Sequence, residues 1–124
     1  MLILGIESSC DDTGVALVND GKNIIHNTLI SQTEIHSPFG GIVPEVAARQ
    51  HIITLGNILK EYKDLNLLQN IDGIAVTKGP GLAGSLLVGV NYAKALSYAL
   101  DVPVRGINHL SGHIHAAWID RIEK

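Results

Sequence analysis

His109 and His113, in the stretch NHLSGHIHA, stand four residues apart and are the side chains of this protein best suited to chemistry. On a helix that spacing stacks two imidazoles on one face, where they can share a metal ion. His115 falls away from that face. Leu110 occupies the place at which a zinc-protease motif, H-E-x-x-H, carries its glutamate, so the pair brings no general base of its own. Two imidazoles also leave a metal short of ligands, and a third, most naturally a carboxylate, has to come from elsewhere, as in 2-His-1-carboxylate centres. The plainer alternative is that both rings only bond backbone at a helix start.

A second cluster lies near the start of the chain, in GIESSCDDTG, residues 5–14. A tight turn after a short apolar run aims backbone N–H groups and hydroxyls at one point, which suits a phosphate, while a neighbouring carboxylate suits a hydrated divalent cation. Ser8, Ser9 and Thr13 fit the phosphate task, and Asp11 and Asp12 the cation task. The same residue types also serve as ordinary turn-formers in a hairpin. Cys10 reads as a small buried or half-buried residue rather than a nucleophile. His26, His36 and His51 have no spacing partner and are assigned to surface or loop positions.

A third motif, GPGLAG at residues 79–84, matches the glycine pattern of dinucleotide-binding turns. Its context does not. The fingerprint belongs to a first βα turn with an acid ending the next strand, whereas Asp101 precedes its strand and that strand ends in Ile107-Asn108. Gly79, Gly81 and Gly84 are better explained by a tight turn and close packing of the following helix.

The elements that must hold these motifs follow from periodicity and breakers. Leu2 to Glu7 and Gly14 to Asn19 are short apolar runs suited to strands, and Asp20-Gly21 is a hairpin dipeptide that pairs Lys22 to Ile30 antiparallel with its predecessor. Residues 31–43, with Ser, Pro and two adjacent glycines, read as a loop, and Pro44 starts a helix running to about Tyr62 with Val46, Ala47, Ile53, Ile58 and Leu59 as its apolar positions. Ile71 to Thr77 is a fourth strand, a helix ends near Leu100 before Asp101 and Pro103, Val104 to Asn108 is a fifth strand, and a last helix covers His109 to Lys124. The order βββαβαβα describes an α/β fold: a mixed sheet flanked by helices, as in a ribonuclease-H-like lobe. Small residues at Ala47, Ala48 and Gly56, and at Gly89 and Ala93, leave helix faces open to close approach, either by the chain's own sheet or by a helix of a second subunit.

At 124 residues the chain is expected to form one domain. Hydrophobic residues make up 46% and charged residues 17%, a globular balance far from that of a disordered chain. A net charge of -3 supplies no basic field, so contact with RNA would need a local patch or a partner. One cysteine excludes an internal disulfide and suits a reducing compartment. No apolar run approaches the roughly 20 residues of a membrane span, and MLILGIESSCDD lacks a signal peptide's basic start, which together lead to an expectation of a cytoplasmic protein away from membranes.

GIESSCDDTG, GGIVPEVAARQHI, TKGPGLAGSLLVGV and INHLSGHIHA, in that order across almost the whole chain, resemble the tRNA adenosine threonylcarbamoyltransferase family, once mislabelled as glycoproteases, in its bacterial branch. The resemblance implies a fold of the actin, Hsp70 and sugar-kinase type, with two ribonuclease-H-like lobes around an active site. Residues 1–124 would be the N-terminal lobe alone, the C-terminal lobe being absent and the piece inactive by itself. The implied reaction moves a threonylcarbamoyl group from threonylcarbamoyl-adenylate to N6 of the adenosine 3′ of the anticodon, in tRNAs reading codons that begin with A. The resemblance matches His109 and His113 to the family's metal ligands, for one divalent ion, iron or zinc, whose third ligand lies in the missing lobe. It matches Ser8, Ser9, Asp11, Asp12 and Thr13 to the first phosphate loop. The implied partners are an inactive, TsaB-like paralogous subunit, a TsaE-like ATPase subunit and tRNA. A homodimer, or a non-catalytic interaction lobe, is the alternative reading. Ser111 stands where the family often has an acidic residue.

Overall fold

The computed structural model describes residues 1–108, which form one five-stranded sheet and the helices that cover it. Strands β1 (Leu2–Glu7), β2 (Asp12–Asn19) and β3 (Asn23–Ser31) make an antiparallel meander. β4 (Gly73–Gly79) and β5 (Val104–Asn108) then add in parallel, giving the order β3-β2-β1-β4-β5. The parallel pairs need crossovers, and α2 (Pro44–Asp64) and α3 (Ala83–Leu100) supply them.

Strand alternation decides which side the helices cover. Leu4, Ile6, Val15, Leu17, Ile74 and Val76 share one face and are buried. Against them pack Leu55, Ile58, Leu59 and Tyr62 of α2 and Ala93 of α3. Each such large apolar side chain contributes about 2 kcal/mol on leaving water, so this single layer holds the domain together. Tyr62 adds a directional tie: its hydroxyl donates to the Val15 carbonyl at 2.9 Å and receives the Thr28 hydroxyl at 3.2 Å. At the sheet's edge β3 carries Ile24, Ile25, Leu29 and Ile30, all exposed.

Several expectations from the sequence need correcting. Residues 31–43 are not an unstructured loop: α1 (Thr33–His36) and a 3-10 turn (Ser37–Phe39) occupy most of them. The segment is pinned by His36, whose Nδ1 accepts the Val43 N–H at 3.1 Å and whose Nε2 donates to Gln32 at 2.7 Å. Ile53 lies not in the core but 57% exposed. The buried stripe of α2 runs Ala47, His51, Thr54, Leu55, Ile58, Leu59 and Tyr62, and Ile53 sits roughly 200° around the helix from His51. Counting only apolar residues skips the two polar members of that stripe and shifts the face.

The small residues assigned to a subunit interface are used inside the chain. Ala47, Gly89 and Ala93 are buried, a Cβ on Gly84 would lie 3.5 Å from Ala48, and one on Gly56 would lie 2.9 Å from the Tyr92 hydroxyl. They allow α2 and α3 to approach each other and the sheet. The helix expected from His109 to Lys124 lies outside the described residues.

Candidate functional site

In a sheet with parallel strands, ligands bind outside the carboxyl ends of those strands. Here β1, β4 and β5 end at Glu7, Gly79 and Asn108, and Gly79 and Asn108 are paired in register. The turn that follows β1, residues 8–11, therefore sits at the crevice, and so does the glycine turn that follows β4.

Every residue of that first turn is tied down. Glu7 Oε1 accepts the Ser9 N–H at 2.6 Å while its Oε2 accepts the Thr77 hydroxyl at 2.6 Å, joining β1 to β4 through one carboxylate. The Ser8 hydroxyl donates to the Ser85 carbonyl on α3 at 2.7 Å. The Ser9 carbonyl accepts the Leu82 N–H at 2.7 Å, and the Asp11 carbonyl accepts the Gln32 N–H at 3.0 Å. Gly81 packs so closely on Ser9 that a Cβ there would lie 2.5 Å from the Ser9 carbonyl oxygen. Gly89, further along α3, makes room for the other serine: a Cβ there would lie 2.5 Å from the Ser8 hydroxyl.

The five loop residues singled out in the sequence are thus brought together but divided by role. Ser8, Ser9 and Thr13 are buried, and the Ser8 and Thr13 hydroxyls are engaged within the protein. Asp11, which ends the turn, and Asp12, which opens β2, are half-exposed, so their carboxylates stay accessible to solvent. Asp11 also borders a cleft of ≈ 380 Å³ whose other walls include His36, Thr33 and Gly40. Cys10, expected to be at least half-buried, is exposed.

Two histidines expected at surface or loop positions are in fact buried: His36, described above, and His51, which is 0% exposed. His51 accepts the Thr13 hydroxyl on Nδ1 at 2.7 Å and donates from Nε2 to the Cys10 carbonyl at 2.7 Å. Neither has a partner at metal-ligand spacing, and their partners lie across turns of the chain that sequence spacing does not measure. A signal for His51 does exist, since it falls four residues after Ala47 and four before Leu55 on the buried stripe. Glu7 is a further site residue that sequence reasoning misses, because in sequence it only ends a strand.

Among the described residues no three His, Cys, Asp or Glu side chains gather to hold a metal ion. His109 and His113 lie outside those residues, and β5 ends at Asn108, one position before His109 in sequence. No described helix is long and apolar enough to cross a membrane.

Comparison with known proteins gives a consistent result. The family profile described as tRNA N6-adenosine threonylcarbamoyltransferase matches residues 23–124. The chain is 50% identical over 123 residues to the protein of that name from Geotalea uraniireducens, covering 98% of this chain and 36% of that protein. It is 53% identical over 119 residues to the one from Clostridium novyi, covering 94% of this chain and 35% of that protein. The chain thus spans a little over a third of the length of the curated relatives it matches. Among solved structures, YeaZ from Pseudomonas aeruginosa superposes with a TM-score of 0.60 at 21% identity, covering 86% of this chain and 43% of that one. The Holliday-junction complex of T. thermophilus RuvC superposes at 0.53 with 13% identity, covering 89% and 66%. At these identities the likeness is one of fold, the ribonuclease-H-like mixed sheet.

Proposed function

This chain belongs to the tRNA N6-adenosine threonylcarbamoyltransferase family, and we propose that residues 1–124 are the N-terminal lobe of an enzyme with that activity. In this reading the complete protein transfers a threonylcarbamoyl group from threonylcarbamoyl-adenylate to N6 of the adenosine 3′ of the anticodon, with AMP leaving. The observation that carries it is the 50% identity over 98% of the chain to a protein of that name.

The turn at the carboxyl end of β1 is the region of this lobe that would meet the adenylate end of the donor. Asp11 and Asp12 would hold a hydrated cation beside its phosphate, and backbone N–H groups of the turn would supply the remaining polar contacts. The anchoring of that turn serves catalysis because a donor held in one geometry meets its nucleophile without further ordering. His109 and His113 would hold one divalent ion, iron or zinc, with a third ligand from the second lobe. Such an ion supplies Lewis acidity toward the carbamoyl carbonyl. Because this lobe carries a net charge of -3, the grip on tRNA is assigned to the rest of the assembly.

A partner surface is also available. Ile52 and Leu87 are exposed on the outer side of α2 and α3 and line a shallow groove between them. That groove, rather than the internal small-residue faces, is where an inactive paralogous subunit of the same lobe fold would dock. An ATPase subunit would join the pair.

Replacing His109 and His113 together with alanine in the full-length protein should abolish transfer to tRNA while leaving the protein folded. Wild-type transfer by that variant would overturn the assignment. Co-elution of the paralogue with the same variant would separate docking from catalysis.

A further inference from the structure

α2 begins at Pro44, and the residue that it presents to the β1–β2 turn is His51. The ring is completely buried, and both of its nitrogens are used. A carbonyl oxygen can only accept, so Nε2 carries the proton toward Cys10; in the neutral ring Nδ1 then offers a lone pair, and Thr13 donates to it. The two anchor points are Cys10 and Thr13, and the residues between them are Asp11 and Asp12. One planar ring therefore holds both ends of the two-residue span that bears the outward carboxylates. An apolar residue of similar volume would fill the same space and leave the Cys10 carbonyl and the Thr13 hydroxyl without those bonds.

We propose that His51 is a positioning residue that sets the direction of Asp11 and Asp12, an inference that rests on the transferase reading for what those carboxylates bind. A position that served only the core would require volume and nothing else. His51 instead spends its whole hydrogen-bonding capacity on Cys10 in the turn and Thr13 at the start of β2, 41 and 38 residues away in sequence. A helix as long as α2, bedded in the core through Leu55, Ile58 and Tyr62, is a rigid base from which to do so.

The test uses the full-length enzyme with its metal and partner subunits, in three variants: His51→Phe, His51→Gln and His51→Asn. Phe keeps ring volume and loses both bonds. Gln extends an amide N–H to the reach of Nε2, whereas Asn is one carbon shorter. With threonylcarbamoyl-adenylate and tRNA as substrates, His51→Phe should raise the KM for the adenylate about tenfold, because carboxylates no longer held in one geometry bind the donor less well. The KM for tRNA should not move, and Gln should recover some of the loss. Hydrogen exchange of residues 9–13 should quicken in the Phe variant while α3 exchanges as before.

An unchanged adenylate KM in a folded Phe variant, or an equal rise for both substrates, would overturn the proposal. Should the Phe variant not fold, the other two decide: a raised adenylate KM with quicker exchange at residues 9–13 in both supports it, and wild-type values in both overturn it. If the wild-type enzyme transfers nothing, the transferase reading fails on its own. Hydrogen exchange then judges the clamp, with unchanged exchange at residues 9–13 counting against it.

Discussion

Strand β2 is joined to its neighbours by two turns at opposite ends of the sheet, and they are held in different ways. The Asp20-Gly21 turn holds itself. Asp20 and Gly21, the central residues of the turn, both take positive φ, 55° and 69°, as a type I′ turn requires, and the Lys22 N–H closes onto the Asn19 carbonyl at 3.1 Å. Nothing lies within 4 Å of where a Gly21 Cβ would stand. Its longer ties run to Met1, whose ammonium pairs with the exposed Asp20 carboxylate and holds it below the usual aspartate range. The Ser8–Asp11 turn has the opposite character, since its bonds run to Gln32, His51, Leu82 and Ser85. The first turn takes its shape from distant rigid elements, and the second, which only reverses the chain, does without them.

The largest effect that would test this contrast comes from Gly81→Ala. The new methyl would meet the Ser9 backbone, which cannot swing aside as a side-chain tip could, and a cost of about 3 kcal/mol is expected. Denaturant unfolding of the full-length protein measures it. A loss below about 0.5 kcal/mol would mean that the first turn is free to shift and the contrast is false.

Tyr62 lies between the two ends and ties α2 to the middle of both hairpins. Tyr62→Phe should cost about 1 kcal/mol near neutral pH through the lost bond to Val15. Burial pushes the Tyr62 phenol above its ordinary value, against a smaller opposing effect of the Thr28 hydrogen bond. The neutral phenol is therefore the form that the fold favours. Its contribution is complete below about pH 10, where the unfolded tyrosine begins to ionise, and is lost as pH rises through the higher folded value. The gap between wild type and Tyr62→Phe should accordingly narrow above about pH 10. Melts of both proteins across that range would show it, and a gap that widens would refute the assignment.

Gly21→Ala is the smallest change. It costs only the strain of a positive φ, about 1 kcal/mol, and should leave transfer activity untouched. Loss of activity in that variant would mean the two ends of β2 are coupled after all.

Much of the fold is legible in the sequence because its signals are local. β1 and β5 fall where the apolar runs place them, and the helix starts follow from Pro44 and the glycine turn before Ala83. Residues 31–43 are not legible in the same way, because Ser, Pro and Gly mark an irregular segment without revealing that His36 organises it. Of the site, the SSCDDT cluster is visible as a cluster. Which of its members face outward is not, since Ser8 and Thr13 look as available in sequence as Asp11 and Asp12.

By itself, then, the sequence determined the order of the five strands and of the two crossover helices, the mixed sheet and the family, because periodicity, turn chemistry and motif order are all written within short windows. Only the tertiary structure decided that His51 lies beneath the first turn, that Glu7 joins β1 to β4, and that Gly89 makes room for the Ser8 hydroxyl. Those facts depend on which residues distant in sequence become neighbours, and that follows from the crossovers that bring α2 and α3 onto one face of the sheet.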